Sequence, residues 1–232
     1  MREVIGYMVF LLFVYSCEPI PKKIENNHQL VGDTLFIIEP LSIKKASSID
    51  IELIKSKSKK GMTSFNMKTL YSKIDSYSKM DKSISDKLSG SKVRDNEDWK
   101  LTYNLEYEPF YYYEWDQKDD NFLFSFLQTD ESCCFTMYFG TTDLKGENLY
   151  VDCIGTFGGD AGWTQNDIGK KMYFGTYTIE SICENSVDEL YKDEWITKSK
   201  FKHTQLKLSF NGGIFKRDTL NYIVTDSIYN NN

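Results

Sequence analysis

The side chains best suited to binding chemistry are concentrated in the aromatic stretch EPFYYYEWDQKDDN, residues 108–121, where five aromatic residues occupy six consecutive positions. If this stretch forms a strand, alternation places Tyr111, Tyr113 and Trp115 on one face. Aromatic rings suit the apolar faces of sugars, and carboxylates such as Asp116 can accept hydrogen bonds from sugar hydroxyls. A large exposed aromatic patch commonly marks a binding surface. The stretch therefore predicts a surface that binds a glycan or a protein; a strand buried on both sides is the alternative.

A second candidate is the glycine-rich stretch GTFGGDAGWTQNDIG, residues 155–169. It has neither the glycine spacing of a dinucleotide fingerprint nor the lysine that closes a P-loop. Asp160, Asn166 and Asp167 offer oxygen ligands for Ca²⁺, but their spacing departs from the regular pattern of a dedicated calcium loop. We therefore predict an exposed connection without a metal, in which Asp160 and Trp163 extend the binding surface.

Catalytic groups are sparse in this chain. His28 and His203 are its only histidines, and the G-x-S-x-G pattern of a nucleophile elbow does not occur. Two carboxylates that flank a glycosidic bond at about 5–9.5 Å can hydrolyse it, but no pair stands out among the many acids. The prediction is a non-catalytic protein without cofactor or metal, and a carboxylate-dependent glycosidase is the less favoured alternative.

The first residues predict export. Val4 to Tyr15 is almost wholly apolar and follows a positive charge at Arg2. A helix of this length rises roughly 18 Å, which is short of the ~30 Å hydrocarbon core of a bilayer. The segment does match the apolar core of a secretory signal peptide. It is therefore predicted to direct export and not to remain as a membrane span.

The leader ends in an apolar residue, a spacer, a small residue and a cysteine, at Val14, Tyr15, Ser16 and Cys17. This arrangement resembles the lipobox of bacterial lipoproteins, in the loose form of Bacteroidota-like bacteria, with Tyr15 where a small residue is common. The resemblance covers only the signal region. It implies that the Cys17 thiol receives diacylglycerol, that the chain is cut before it, and that the new amino terminus is acylated, for example with palmitate. An ordinary secretory signal with Cys17 as a free thiol is the alternative.

The resemblance and the composition together divide the chain. Residues 1–16 are predicted to be the signal peptide and residues 17–29 a lipid-anchored tether, in which proline favours an extended backbone. Section 30–98 is rich in lysine and serine, whereas 99–232 holds 27 of the 35 aromatic residues and is predicted to build an aromatic-rich β domain. Lipidation implies a cell-envelope protein that is tethered to a membrane, with the outer membrane as the expected location.

Charge narrows the range of partners. The chain has 28 basic and 34 acidic residues and a formal net charge of −6. Without a global basic field, nucleic acid is not expected to bind. The expected partners are the membrane, through the lipid on Cys17, and a glycan or an envelope protein.

Four cysteines follow Cys17, at positions 133, 134, 153 and 183. Export would place them where disulfides persist. Neighbouring residues of a strand point to opposite faces, so a bond between Cys133 and Cys134 is the least expected pairing. We predict a bond from Cys134, or from Cys133, to Cys153 across a β-hairpin, with buried thiols as the alternative. The spacing of cysteine and histidine does not predict a zinc site.

Hydrophobic periodicity predicts a mainly β (α+β) fold: an antiparallel β-sandwich or barrel with one long amphipathic helix and one short helix. The long helix is predicted over 64–89, with Ser64 as N-cap and Gly90 as its end. The short helix is predicted over 185–196, where Ser186 and Glu189 match a capping box. The predicted strands cover 32–39, 48–55, 99–108, 122–128, 133–139, 148–157, 171–182, 205–210 and 220–228.

The function expected from these patterns is that of a lipid-anchored envelope protein, most simply a non-catalytic module that binds a glycan or a protein. An envelope protein with a structural or protective role, acting by binding another protein, is the alternative from a different class. The lysine- and serine-rich section must either borrow apolar surface from the β domain or stand away from it.

Overall fold

The computed structural model of the chain describes residues 48–93, 100–130, 133–160, 162–191, 194–211 and 214–230. These residues belong to one unit, 43–232. Cys17, the leader, the tether and the predicted strand 32–39 lie outside the described residues. Within the described part of the chain, no helix is both long enough and apolar enough to cross a bilayer.

The described chain contains three short α-helices, one 3₁₀ turn and ten strands. The helices are α1 (Ile51–Lys57), α2 (Met67–Tyr71) and α3 (Lys82–Leu88), with the 3₁₀ turn at Ile74–Ser76. The strands are β1 (Lys59–Lys60), β2 (Phe65–Asn66), β3 (Phe110–Lys118), β4 (Asn121–Thr129), β5 (Cys134–Asp143), β6 (Tyr150–Asp160), β7 (Trp163–Tyr173), β8 (Thr176–Tyr191), β9 (Glu194–Asn211) and β10 (Ile214–Asn230).

All ten strands belong to one sheet. From β3 to β10 each strand pairs antiparallel with the next, while β1 pairs parallel with β3 and β2 pairs antiparallel with β7. The predicted mainly β, antiparallel fold is confirmed. A division into two separate sheets or closure into a barrel is not, because the pairing of the described strands follows a single path from β1 to β10.

The centre of the sheet is apolar on both of its faces. Strands β4 and β5 are buried along almost their whole length, which explains their nearly continuous apolar sequence. A two-residue turn joins β3 to β4, and Asp119 has a left-handed φ of 52° there. Aspartate tolerates this conformation better than most residues, and tight hairpin turns require it.

Two hydrophobic cores lie on opposite faces of β4 and β5, and we call them core 1 and core 2. In core 1, Phe122, Phe124 and Phe126 of β4 pack with β3 and with helices α1 and α3. In core 2, Leu123 and Leu127 of the same strand pack with helix α2 and with side chains of β8, β9 and β10. The alternation of one strand therefore supplies both cores. The lysine- and serine-rich segment 48–93 contributes to both of them and borrows its apolar surface from the strands.

The predicted long helix 64–89 is wrong, because its apolar residues serve two different cores. Met67 is buried in core 2, whereas Ile84 is buried in core 1. A single straight helix cannot reach both faces of the sheet. After α2 and the 3₁₀ turn, the chain instead runs alongside β3 until α3 begins: the Met80 amide donates to the Phe110 carbonyl at 2.7 Å and the Tyr112 amide donates to the Ser78 carbonyl at 3.0 Å.

The predicted strand 48–55 is also wrong, because helix α1 occupies this region. The Asp50 carboxylate accepts a hydrogen bond from the Leu53 amide at 3.0 Å and so caps the helix. Glu52 lies in the first turn, and lysines lie in the last turn, which complements the helix dipole. Ile51 and Ile54, three residues apart, are buried on one side of the helix.

The predicted short helix over 185–196 is a β-hairpin, formed by the ends of β8 and β9. Ser186 does not cap a helix; its hydroxyl lies 2.7 Å from the hydroxyl of Ser199, the residue opposite it. The ladder to β9 satisfies this backbone, so tertiary pairing overrides the local capping signal.

Two further stretches differ from their predictions. Residues 100–108 form only isolated bridges, such as Asn104 with Glu108, and Trp99 lies outside the described residues. The run 171–182 is divided between β7 and β8 by a tight turn at Phe174 and Gly175.

Candidate functional site

The aromatic strand β3 does not present its three candidate rings on one face. A β-bulge lies between Tyr112 and Trp115, so that two residues of β3 face the single residue Ser125 of β4. The bulge shifts the alternation: Tyr111 and Tyr113 pack on core 2, whereas Trp115 packs on core 1. The predicted common face is therefore wrong, and all three rings are half-buried.

The rings of β3 are engaged within the molecule. Tyr113 packs edge-on against Tyr77, with ring centroids 5.5 Å apart, and burial raises the pKa of the Tyr113 hydroxyl above its usual range. Lys55 and Lys60 each place their Nζ atom 5.5 Å from the centroid of the Trp115 ring. Such cation–π contacts stabilise a ring in place. These surroundings favour a structural role for β3.

The acidic side chains of β3 are engaged as well. Glu114 is buried and accepts hydrogen bonds from both the amide and the hydroxyl of Thr63, each at 2.8 Å. Asp116 lies 3.5 Å from the Lys171 ammonium of β7. Glu114 thus ties the chain before β2 to β3, and Asp116 connects β3 to β7.

The other two candidate residues, Asp160 and Trp163, meet at the tip of the β6–β7 hairpin. The predicted exposed connection 155–169 is wrong, because most of it forms these two strands, in which Asp160 pairs directly with Trp163. A surface groove of about 300 Å³ lies beside this tip. It is lined by Gly159, Asp160, Gly162, Trp163, Thr164, Glu184 and Ser186. Residues of the aromatic strand do not line this groove, so the six candidates fall into two separate regions.

The glycines of this hairpin permit close approach of the backbone. Gly162 has a left-handed φ of +91°, and a Cβ atom there would lie 2.3 Å from the Ser186 carbonyl oxygen. The Ser186 amide donates to the Gly162 carbonyl. The tip is thereby joined to β8, so that Glu184 of β8 lines the same groove as Trp163. A groove lined by a half-buried tryptophan and two acidic residues is a suitable surface for a polar ring-shaped ligand.

Strand β7 of this hairpin carries a buried carboxylate, Asp167. It accepts a hydrogen bond from the Thr156 amide at 2.8 Å and is contacted by the amide nitrogen of Gln165. Burial raises the pKa of the Asp167 carboxyl above its ordinary value, and the hydrogen bonds and the Arg217 charge offset part of this effect. The Arg217 guanidinium donates to the Cys153 carbonyl. These contacts join β6, β7 and β10 below the surface.

The predicted disulfide between Cys134 and Cys153 is wrong. Cys133 and Cys134 are bonded to each other, and Cys153 keeps its thiol. In the β5–β6 ladder Cys134 lies opposite Gly158, whereas Cys153 lies opposite Tyr138, so the two cysteines are several rows apart. Burial raises the pKa of the Cys153 thiol to about 11, which leaves it protonated and weakly nucleophilic at neutral pH.

Cys134 begins β5, and Cys133 directly precedes it. The Asp130 carboxylate accepts hydrogen bonds from the amides of Cys133 and Cys134, at 2.7 and 3.0 Å. Within the described ranges, these three residues are the one group whose ligand atoms lie close enough to hold a metal. The two cysteine sulfurs are bonded to each other, whereas a cysteine that binds a metal does so as a thiolate. The arrangement favours a structural turn.

Strands β8, β9 and β10 extend beyond the two cores. On β8 the last residue that packs in core 2 is Ile179, and on β9 the first such residue is Leu206. These two residues are paired with each other. Their continuation, together with the last part of β10, forms an antiparallel extension that we call the distal ribbon; β7 pairs with its first part, residues 180–185 of β8. The distal ribbon consists of residues 180–191, 194–205 and 221–230.

The distal ribbon exposes apolar side chains. Those at least 39 % exposed are Ile182, Val187, Tyr222, Ile223, Val224 and Ile228. Among its described side chains, only Cys183, Ile196 and Ser199 are buried. Small sheets normally depend on a packed hydrophobic face for their stability, and an exposed apolar patch commonly marks an interaction surface. The distal ribbon is therefore the strongest candidate for an interaction surface in the described chain.

The distal ribbon was missed by the sequence analysis, although part of its signal was present. The predicted strand 220–228 is correct in type and lies within β10. The capping-box pattern at Ser186 and Glu189 concealed the end of β8, and thus the ribbon as a unit. Burial, which distinguishes an exposed strand from a core strand, depends on distant parts of the chain that a local pattern does not report.

Comparison of this chain with protein-family models, with curated proteins and with solved structures found no match.

Proposed function

We propose that this chain is a lipid-anchored, non-catalytic binding module of the cell envelope, and that it recognises another protein by adding that protein's strand to β10. The observation that carries the protein-binding part is the long, apolar and uncovered edge of the distal ribbon. In strand addition, main-chain hydrogen bonds provide affinity and alternate side chains provide specificity.

The edge of β10 has the features that strand addition requires. Among the described strands β10 pairs only with β9, so the backbone groups on its other edge are available to a partner. Residues 220–230 contain neither lysine nor proline, the residues that commonly protect an edge from pairing. Their β-branched and aromatic members, Tyr222, Ile223 and Val224, favour a pleated strand.

Placing one lysine on this edge tests the proposal. Val224→Lys should abolish recovery of the partner from solubilised envelopes, because a charged edge opposes pairing. Val187→Lys is the matched control, since it makes the same substitution at an exposed position of β8, away from the β10 edge. Amide hydrogen exchange of β10 should slow in the complex with the purified partner. A partner that Val224→Lys still binds as strongly as the control would contradict strand addition at β10.

The envelope location is supported by the leader and Cys17. Cys17→Ala should release the protein from the membrane fraction, because several acyl chains on one residue contribute about 0.8 kcal/mol per buried methylene. Mass spectrometry of the native protein should find a lipidated Cys17 at its amino terminus. An intact starting methionine, or a Cys17 without lipid, would exclude the anchor.

A second candidate ligand is a glycan in the groove beside Trp163. The specific observation is that a half-buried Trp163 lines one groove together with Asp160 and Glu184. On a glycan array, Trp163→Ala should lose binding, whereas Trp115→Ala should keep it, because Trp115 packs on core 1. Binding that persists in Trp163→Ala, or the absence of any bound glycan, would exclude this site.

A further inference from the structure

The bond between Cys133 and Cys134 closes the shortest loop that a disulfide can close. The two cysteines are neighbours in the sequence, at a separation of one residue. A disulfide stabilises a fold mainly by restricting the unfolded chain, and this restriction grows with the length of the loop that the bond closes. A bond between neighbours joins no distant parts of the chain, so it contributes less to the stability of the fold than a bond to Cys153 or Cys183 would.

The backbone around the pair is held by hydrogen bonds that do not involve sulfur. The Asp130 amide donates to the Cys134 carbonyl at 2.9 Å, and the Gly159 amide donates to the Cys133 carbonyl at 3.3 Å. The Asp130 carboxylate accepts from both cysteine amides. Opposite Cys134 lies Gly158, where a Cβ atom would lie 2.1 Å from the Cys133 carbonyl oxygen. Opening the disulfide leaves these contacts in place, so the strands around it can persist in both redox states.

The pair is also more accessible than the other cysteines of the described chain that could react. Cys133 and Cys134 are both half-exposed, whereas Cys183 is only 5 % exposed. Burial raises the pKa of the Cys153 thiol to about 11 and keeps it protonated. Accessible disulfides are the ones that exchange readily with thiols in solution. The chemistry of the pair is therefore open to a substrate while that of Cys153 and Cys183 is not.

We propose that the Cys133–Cys134 disulfide is an exchangeable two-electron redox site whose substrates are dithiols. A thiolate of the dithiol attacks one cysteine sulfur, the bond between Cys133 and Cys134 breaks, and the other cysteine leaves with the electron pair and takes up a proton. The second thiol of the substrate, as its thiolate, then attacks the substrate sulfur of the mixed disulfide and releases the first cysteine as a thiol. The dithiol loses two electrons and two protons, and the cysteine pair gains them.

The adjacency of the two cysteines selects dithiols over monothiols. After a monothiol attacks, the released cysteine lies next to the mixed disulfide and attacks it in turn, which expels the monothiol and restores the original bond. A thiol within the same molecule acts at an effective concentration above that of a dilute reagent. Only a substrate with a second thiol of its own competes with this reversal. The inference concerns the ends of β5 and β6 and does not depend on the partner proposed for β10.

Reduction of the folded protein tests the inference. The full chain is incubated under native conditions with dithiothreitol, or with 2-mercaptoethanol at the same concentration of thiol groups, and is then alkylated. Mass spectrometry of the peptide that contains Cys133 and Cys134 measures the reduced fraction. Dithiothreitol should reduce the pair at least about tenfold faster than the monothiol does. Cys183 should stay unmodified in both incubations, which verifies that the chain remained folded.

Two matched variants test the role of the neighbouring thiol. Cys134→Ser leaves Cys133 without a cysteine beside it, so treatment with glutathione disulfide should leave a lasting mixed disulfide on Cys133. Cys133→Ser should give the same result on Cys134. In the wild type, reduced beforehand and treated in the same way, the neighbouring thiol should displace glutathione and the Cys133–Cys134 bond should form again.

Thermal unfolding provides a measurement that needs no substitution. The oxidised and the reduced chain should have Tm values within about 4 °C of each other, because the bond closes so short a loop. A disulfide that is reduced only in denaturant, equal rates with the monothiol and the dithiol, or a much lower Tm after reduction would overturn the inference. A mixed disulfide that persists in the wild type would overturn it too.

Discussion

The central strands β4 and β5 and the distal ribbon use similar apolar and β-branched residues but differ in what covers them. Phe124 of β4 is completely buried, whereas Ile228 of β10 is 65 % exposed. Helices α1 and α3 cover one face of the central strands. Helix α2, the beginnings of β8 and β10 and the end of β9 cover the other. The difference indicates that the central strands stabilise the fold, while the ribbon leaves apolar side chains exposed to solvent.

The largest expected effect comes from truncating the central ring. Phe124→Ala should lower the free energy of unfolding by about 3–5 kcal/mol, because it leaves a cavity among Phe122 and Phe126. Ile228→Ala should change it by less than about 0.5 kcal/mol, as is usual for exposed sites. Urea denaturation measures both values. Equal losses for the two substitutions would remove the distinction between the regions.

Overpacking at the border of core 2 should have the next largest effect. A Cβ atom at Gly169 would lie 2.1 Å from the ring of Phe65, which is buried where β2 pairs with β7. Gly169→Ala should therefore cost about 1–3 kcal/mol in urea denaturation. Gly90→Ala is an unsuitable control, because Gly90 has a positive φ although the space around it is open. Ile228→Ala is therefore the control here as well. A neutral Gly169→Ala would show that the packing around Phe65 is loose.

A smaller effect is expected at the link between the first segment and β3. Thr63→Ala removes one of the two hydrogen bonds that Glu114 accepts. The loss of a single hydrogen bond costs about 1 kcal/mol. Because Thr63→Ala keeps the backbone amide donor, the fold should persist, and thermal unfolding should show a modest decrease in Tm. An unchanged Tm would mean that Glu114 finds another donor.

The smallest effect is a pH dependence that arises from Asp167. Its folded-state pKa is raised by burial, so the folded chain holds this proton more tightly than the unfolded chain does. The contribution of Asp167 to stability is therefore most favourable below its unfolded pKa, near 4, and declines as pH rises through the folded value. Relative to Asp167→Asn, the wild type should lose stability as pH rises from about 4. A constant difference across this range would contradict the raised pKa.

The sequence predicted the central strands better than the surface. The continuous apolar run of β4 and the turn at Asp119 leave few alternatives to a strand and a hairpin. The two cores could not be read from the sequence, because one run of apolar residues at spacings of three, four and seven includes both Met67 and Ile84, although these two pack on opposite faces of the sheet. A periodic pattern shows which residues lie on the same side of a helix or strand, but it does not show where that helix or strand ends.

The candidate site was predicted only in part. Asp160 and Trp163 do meet, because two strands joined by a tight turn bring their ends together. The shared aromatic face failed, since one bulge at Tyr113 and Glu114 reverses the alternation after it. A bulge of this kind is fixed by the partner strand, here through hydrogen bonds between Ser125 and Glu114, and local sequence carries little trace of it.

The two ends of the sheet differ in a way that limits assembly. At one end, β1 is a pair of exposed lysines, Lys59 and Lys60, paired with β3, and at the other end lies the long strand β10. A filament that grows by strand pairing between chains needs two sheet edges on each chain that can pair with a neighbour. The edge at β1 is short and positively charged, which opposes pairing with another chain. Two copies of this chain that paired through β10 would therefore stop as a dimer and would not grow into a filament.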